Sequence, residues 1–259
     1  MVDQDLELNN LQTHWSSVLS SAETEGHQAR NRLLVRYHDM IQRYVRAKLA
    51  PDIAAADALV SDFAMRVLEL DAFLRRATPG DAPRPGRFRK YLLTVLSRMV
   101  TDHFRRKTRD GSKRKDFSEG SDLEPISIDE PADDPEFLAC WKQELVNQAW
   151  KALESTEKRS GQLFYTLVMY QQANPDLTWA QIAERFSAER GESFTAAGVR
   201  QIVKRGRELF GEMLVHETAR SLEKERGATS ASAIEGELIE LGLLNDYCKS
   251  ALEHWGGEK

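Results

Sequence analysis

The sequence predicts an all-α protein: two helical domains joined by an acidic flexible linker, with a C-terminal amphipathic helix beyond them. Three observations carry this. Apolar residues recur three and four apart along the long segments, the period of a helix buried on one face. The stretch 116–136 holds Glu119, Asp122, Glu124, Asp129, Glu130, Asp133, Asp134 and Glu136 among Ser, Gly and Pro, a linker composition. Thr178 to Phe210 reads as two capped helices with a turn between them. At 259 residues, 41% hydrophobic and 30% charged, the chain can bury a substantial core, and its length suits two small domains.

Taken in order, Leu6 to Ser21 carries a weak stripe of Leu11, Trp15, Val18 and Leu19 within an N-terminal extension, 1–28. The first domain, 29–115, opens with a helix from Ala29 to Leu49. Its apolar face is Leu33, Leu34, Tyr37, Ile41, Tyr44, Val45 and Leu49, and Pro51 closes it. A second helix over Ala54 to Leu74 turns Leu59, Val60, Phe63, Val67, Leu70 and Leu74 inward, and a Pro-, Gly- and Arg-rich loop reaches Arg87. The third helix repeats Phe88, Tyr91, Leu92, Val95, Leu96, Met99, Val100 and Phe104. Around its exit Arg98, Arg105, Arg106, Lys107, Arg109, Lys113, Arg114 and Lys115 face only Asp102 and Asp110, a concentration of one sign suited to a phosphate backbone.

The second domain, 137–226, begins with helices over Phe137 to Glu157 and Gln162 to Ala173, before Pro175 stops the chain short of Thr178. Thr178 with Gln181 makes a capping box, and Leu177 with Ile182 a hydrophobic staple. Gly191 suits the left-handed residue past a helix end, and Thr195 caps the next helix. Val199, Ile202, Val203, Phe210, Met213 and Leu214 share one face of that helix. Arg200, Lys204 and Arg207, with Gln201 and Arg205 beside them, offer the side chains that read base edges and grip phosphates. Any amphipathic helix shows a polar face. The two caps, the Gly-containing turn and the acid-free start of the second helix together favour a helix-turn-helix. In the C-terminal extension, 227–259, Gly227 to Ser232 is a small-residue break, and Ile234, Leu238, Leu241, Cys248, Leu252 and Trp255 form a heptad-like seam interrupted by Asn245. That segment is expected to dock on its own protein and to restrain the free factor.

The net charge of -5 excludes a uniformly basic coat protein, so nucleic-acid contact must come from local clusters. Cys140 and Cys248 are isolated and suggest neither a zinc site nor a disulfide framework. The polar, acidic start and the lack of a long apolar run point to a cytoplasmic protein with no membrane partner. His14, His27, His38, His103, His216 and His254 have no ligand or triad spacing, and no phosphate loop, HExxH pair or nucleophile elbow is present. No enzyme activity, metal or cofactor is expected.

The order of these segments resembles bacterial RNA polymerase sigma factors of the extracytoplasmic-function group. GRFRKYLLTVLSRMVTDHFRR at Gly86 to Arg106 is similar to the family's F-R-x-W/Y-L…D-x-x-R-R helix. AADALVSDFAMRVL at Ala55 to Leu68 resembles its polymerase-binding helix, and GVRQIVKRGRELF, ending at Phe210, its recognition helix. The stretch with THW at Thr13 to Trp15 and ELIELGLL at Glu237 to Leu244 resemble extensions of planctomycete members.

The resemblance implies a sigma region 2-like domain followed by a region 4-like helix-turn-helix domain, in a non-enzymatic initiation factor whose partners are core RNA polymerase, promoter DNA and an inhibitory protein. Asp57, Leu59, Ser61, Asp62 and Arg66 would touch polymerase. Arg87, Arg89, Arg98, Arg105, Arg106 and Lys107 would meet DNA near the minus-ten element, and Arg200, Gln201, Lys204, Arg205 and Arg207 the minus-thirty-five element. Two departures stand out: the family's Asp falls at Ala58 and its Gln at Ser61. These favour a rival, a diverged sigma-like helical scaffold acting as an interaction protein or an ordinary helix-turn-helix regulator.

Overall fold

The computed structural model describes residues 23–68, 88–112, 134–222 and 229–256. All regular structure among them is helical: α1 (Glu23–Leu49), α2 (Ile53–Leu68), α3 (Phe88–Ser112), α4 (Pro135–Ser160), α5 (Phe164–Ala173), α6 (Trp179–Arg190), α7 (Ala196–Leu222), α8 (Ala231–Glu240) and α9 (Asp246–Glu253). The described residues up to Glu144 belong to one compact unit and those from Leu145 onward to another. The expected N-terminal extension lies outside the described residues up to position 22, and its boundary at 28 falls inside α1. The expected linker is likewise outside them up to position 133.

In the first unit, α1 ends at Leu49, and Asp52 caps α2 by accepting from the Ala55 N–H at 3.1 Å. α1 packs on α2 and α3, and the buried residues are Tyr37, Met40, Ile41, Tyr44 and Val45 of α1, Leu59, Val60 and Phe63 of α2, and Leu92, Leu96 and Met99 of α3. The start of α4 completes this core. Trp141 stacks on Tyr37 with centroids 5.2 Å apart, and Phe137 meets Tyr44 edge-on at 5.4 Å. Asp134 and Glu136, expected in the linker, instead anchor α4. One Asp134 oxygen accepts from the backbone of Glu136 and Phe137, and the other takes the Tyr44 hydroxyl and the Lys48 ammonium, each at 3.0 Å. Asp134-Pro135 is an N-cap followed by proline at the first helical position, a start signal hidden in an acidic run. Further along α4, Arg43 reaches the buried Glu144 at 2.8 Å.

The second unit is organised around α7. Its N-terminal half closes a core of Leu167 and Val168 from α5, Ile182, Ala183 and Phe186 from α6, and its own Val199 and Val203. Two glycines let neighbours approach. A Cβ on Gly206 would lie 2.7 Å from Val168 Cγ2 and 2.9 Å from the Phe164 carbonyl oxygen, and one on Gly211 would lie 2.8 Å from the carbonyl carbon of Tyr247 in α9.

The C-terminal segment departs from the expected single helix. It is a pair, α8 and α9, turned at Leu241 to Asn245. Gly242 takes the left-handed conformation at φ 61°, and the Leu243 N–H returns to the Leu238 carbonyl at 2.8 Å. Asn245, the polar interruption of the seam, caps α9 by accepting from the Cys248 N–H at 3.0 Å. The seam is nonetheless buried at Ile234, Leu238, Leu241, Cys248 and Leu252. Trp255 closes the pair by donating to the Thr229 carbonyl at 2.8 Å and packs its ring on His216 of α7.

Candidate nucleic-acid interface

The α6 and α7 pair forms from the local signals in its sequence. Thr178 caps α6 with both halves of the capping box made by Gln181, Gly191 ends it at φ 69°, and Thr195 accepts from the Gly198 N–H at 3.1 Å to start α7. Inside the joint, Ser187 accepts from the Phe194 N–H at 2.9 Å, which ties the end of α6 to the approach of α7. Phe194 in turn meets Phe186 edge-on at 6.2 Å. Both helices are thus held by side-chain caps and a shared apolar contact, and the polar face of the first turns of α7 is left outward.

On those turns Arg200, Gln201, Lys204 and Arg205 are exposed. Among the described residues Arg200 makes no ion pair or hydrogen bond. The other cations are engaged. Arg205 lies 3.4 Å from a carboxylate oxygen of Glu208 and 3.4 Å from one of Glu212, and Lys204 lies 3.8 Å from the second oxygen of Glu208. Arg207, expected to grip phosphate, is half-buried and donates to the Gln171 side chain of α5 at 2.5 Å. Glu208, Glu212 and Gln171 escaped the sequence reading, although Glu208 stands four residues after Lys204 and three after Arg205, the spacing of helical ion pairs.

In the first unit Arg98, Arg105, Arg106, Lys107 and Arg109 are exposed on α3, whereas Lys113, Arg114 and Lys115 lie outside the described residues. Lys107 lies 3.4 Å from Asp52, whose carboxyl is held below its ordinary value first by the Ala55 N–H and then by this ammonium. Phe104 is 46% exposed between these cations. Arg89 behaves otherwise: it is 7% exposed and belongs to the interior of the unit, not to a surface that could meet DNA. Arg87 lies outside the described residues.

The expected polymerase-facing side of α2 is also divided. Leu59 is buried in the core, a consequence of sharing the apolar stripe with Val60 and Phe63, and does not face outward. Asp57 is exposed but receives two hydrogen bonds from Arg46, at 2.9 and 3.1 Å. Ser61, Asp62 and Arg66 are exposed, and the Ser61 hydroxyl donates to the Asp57 carbonyl at 3.0 Å.

No helix among the described residues is long and apolar enough to cross a membrane. Comparisons with known protein families, with curated proteins and with solved structures find no match to this chain.

Proposed function

We propose that the chain is a promoter-recognition factor of the sigma type: α7 reads duplex DNA in the major groove, and the basic surface of α3 lies along the phosphate backbone near the melted region. The observation that carries this reading is the doubly capped α6 and α7 pair, which buries Val199 and Val203 while leaving Arg200, Gln201 and Lys204 exposed on the first turns of α7. Those side chains suit base edges, Arg and Lys for guanine and Gln for adenine. The exposed α3 cations supply sequence-independent grip. The minus-thirty-five and minus-ten elements are the expected targets of the second and first units respectively, with core RNA polymerase as the protein partner.

A second reading has its own support. On α2, Ala58 offers no polar group, Leu59 is buried and Asp57 is occupied by Arg46, so the polymerase-facing side is poorer than the resemblance expects. A helix-turn-helix regulator or a scaffold that does without polymerase fits that surface. Co-purification of the folded full chain with core RNA polymerase, followed by run-off transcription, separates them. Stable association with promoter-dependent transcripts supports the sigma reading. Sequence-selective DNA binding without association supports the regulator, and failure of both leaves the scaffold.

A further inference from the structure

We propose that Glu208 and Glu212 set the stringency of the α7 face: they neutralise Arg205 against backbone phosphate, so that binding depends on base contacts made from the first turns of the helix. This rests on the DNA-binding reading above. Glu208 offers one oxygen to each cation, 3.8 Å from Lys204 and 3.4 Å from Arg205, and Glu212 supplies a second acceptor for Arg205 at 3.4 Å. The charges of these four side chains cancel. Arg207 is withdrawn as well, since Gln171 holds its guanidinium. Among the described residues, the cation that remains unpaired on this face is Arg200, one turn from the helix start, where the positive end of the helix dipole also lies. Cationic reach is therefore concentrated where base edges are read and is cancelled where a phosphate would be gripped regardless of sequence.

A phosphate approaching Arg205 must displace carboxylates tethered to the same helix, which compete without the translational cost that an incoming ligand bears. It also enters beside two negative charges. Each exposed pair is weak, worth a few-fold at most. Discrimination is a ratio of affinities, however, and a few-fold handicap on every random site raises that ratio directly. Base contacts at Arg200 and Gln201 are untouched by the handicap.

The test compares the full chain with its E208Q/E212Q variant on two labelled duplexes, one of random sequence and one enriched by selection on the wild-type protein, across a range of KCl concentrations. Glutamine keeps the helix propensity of glutamate, and helical circular dichroism with a thermal midpoint checks the fold. The variant should bind random duplex about three- to tenfold tighter, gain less on the selected duplex, and steepen the slope of log affinity against log salt by about 1 to 2. R205Q should cost more affinity for random duplex in the E208Q/E212Q background than in the wild type, because only there is the guanidinium released. Equal costs of R205Q in both backgrounds, or an unchanged slope and unchanged ratio in a folded variant of a wild type that discriminates, would overturn the proposal and leave the DNA reading standing. A wild type with no salt-dependent affinity for any duplex would overturn both.

Discussion

Asp134 divides its carboxylate between capping α4 and holding Lys48 and Tyr44 of α1, so the titration of this cluster is coupled to the folding of the first unit. Burial, helped by the neighbouring Asp134 charge, pushes the Tyr44 hydroxyl up to about 12. For Lys48, burial is outweighed by hydrogen bonds to Glu136 and Asp134, which raise it. For Asp134, burial is outweighed by Lys48 and Tyr44, which hold it below the ordinary carboxylate value. The signs then follow. Asp134 stabilises the fold above its unfolded value of about 3.9, and that contribution is lost as pH falls through its lower folded value. Lys48 and Tyr44 stabilise it below their unfolded values of about 10, and those contributions are lost as pH rises toward the folded ones. The thermal midpoint should therefore fall at both extremes. Tyr44→Phe should flatten part of the alkaline fall, and Asp134→Asn, which keeps a capping side chain, should remove part of the acid fall at a cost of roughly 1 kcal/mol near neutrality. A pH series of melting curves decides this, and superimposable alkaline limbs for wild type and Tyr44→Phe would refute it. On the other unit, Arg200→Ala should lose about 1 to 3 kcal/mol on the preferred duplex and relax discrimination at one base pair. A uniform loss on every sequence would make Arg200 a phosphate contact instead.

At the scale of the element, α7 is held by close approach on two sides. Gly206 and Gly211 sit where backbone atoms of α5 and α9 come within 3 Å of a would-be Cβ, so alanine at either must push a neighbouring helix away. The gain in helix propensity of about 1 kcal/mol is then outweighed, and each substitution should destabilise by roughly 1 to 3 kcal/mol. Gly236 in α8 has open space at the same position, and Gly236→Ala should stabilise by up to about 1 kcal/mol in the same denaturation experiment. Neither glycine contact was legible in the sequence, because a close crossing depends on the partner backbone and not on the local string. What was legible is local: the Thr178 and Gln181 box, the left-handed Gly191 and the Thr195 cap each depend on residue type at a fixed offset. Non-local placement is where the reading failed. The acidic run concealed the helix start at Asp134, and the seam from Ile234 to Trp255 kept its period across a turn that only Gly242 and Asn245 betray. Leu59 lies on the apolar stripe of α2 and also in the set that the resemblance turns toward polymerase, and it is buried in the core. The basic face of α7 also carries Glu208 and Glu212, whose helical spacing from Lys204 and Arg205 is local and therefore legible.

At the scale of the whole molecule, the role of the C-terminal pair follows from which part of α7 it covers. α8 and α9 pack on the C-terminal half, where Leu214, Val215, Thr218 and Ala219 are buried and Gly211 meets Tyr247, whereas Arg200, Gln201 and Lys204 on the first turns remain exposed. The pair therefore completes a core and does not mask the candidate reading surface. Burial of side chains such as Ile234, Leu238 and Leu252 is worth roughly 1.5 to 3 kcal/mol each relative to exposure, and removing them also uncovers apolar surface on α7. Deletion of the chain after Gly227 should accordingly lower the melting temperature of the second unit by many degrees and promote aggregation. A milder probe separates stability from masking: Leu238→Ala, expected to cost about 2 to 5 kcal/mol, leaves every exposed residue of α7 in place. If the pair is structural, the folded fraction of this variant binds duplex DNA with wild-type affinity at a temperature well below its midpoint. Tighter binding by the folded variant, or by the truncated chain under stabilising conditions, would instead assign the pair a restraining role.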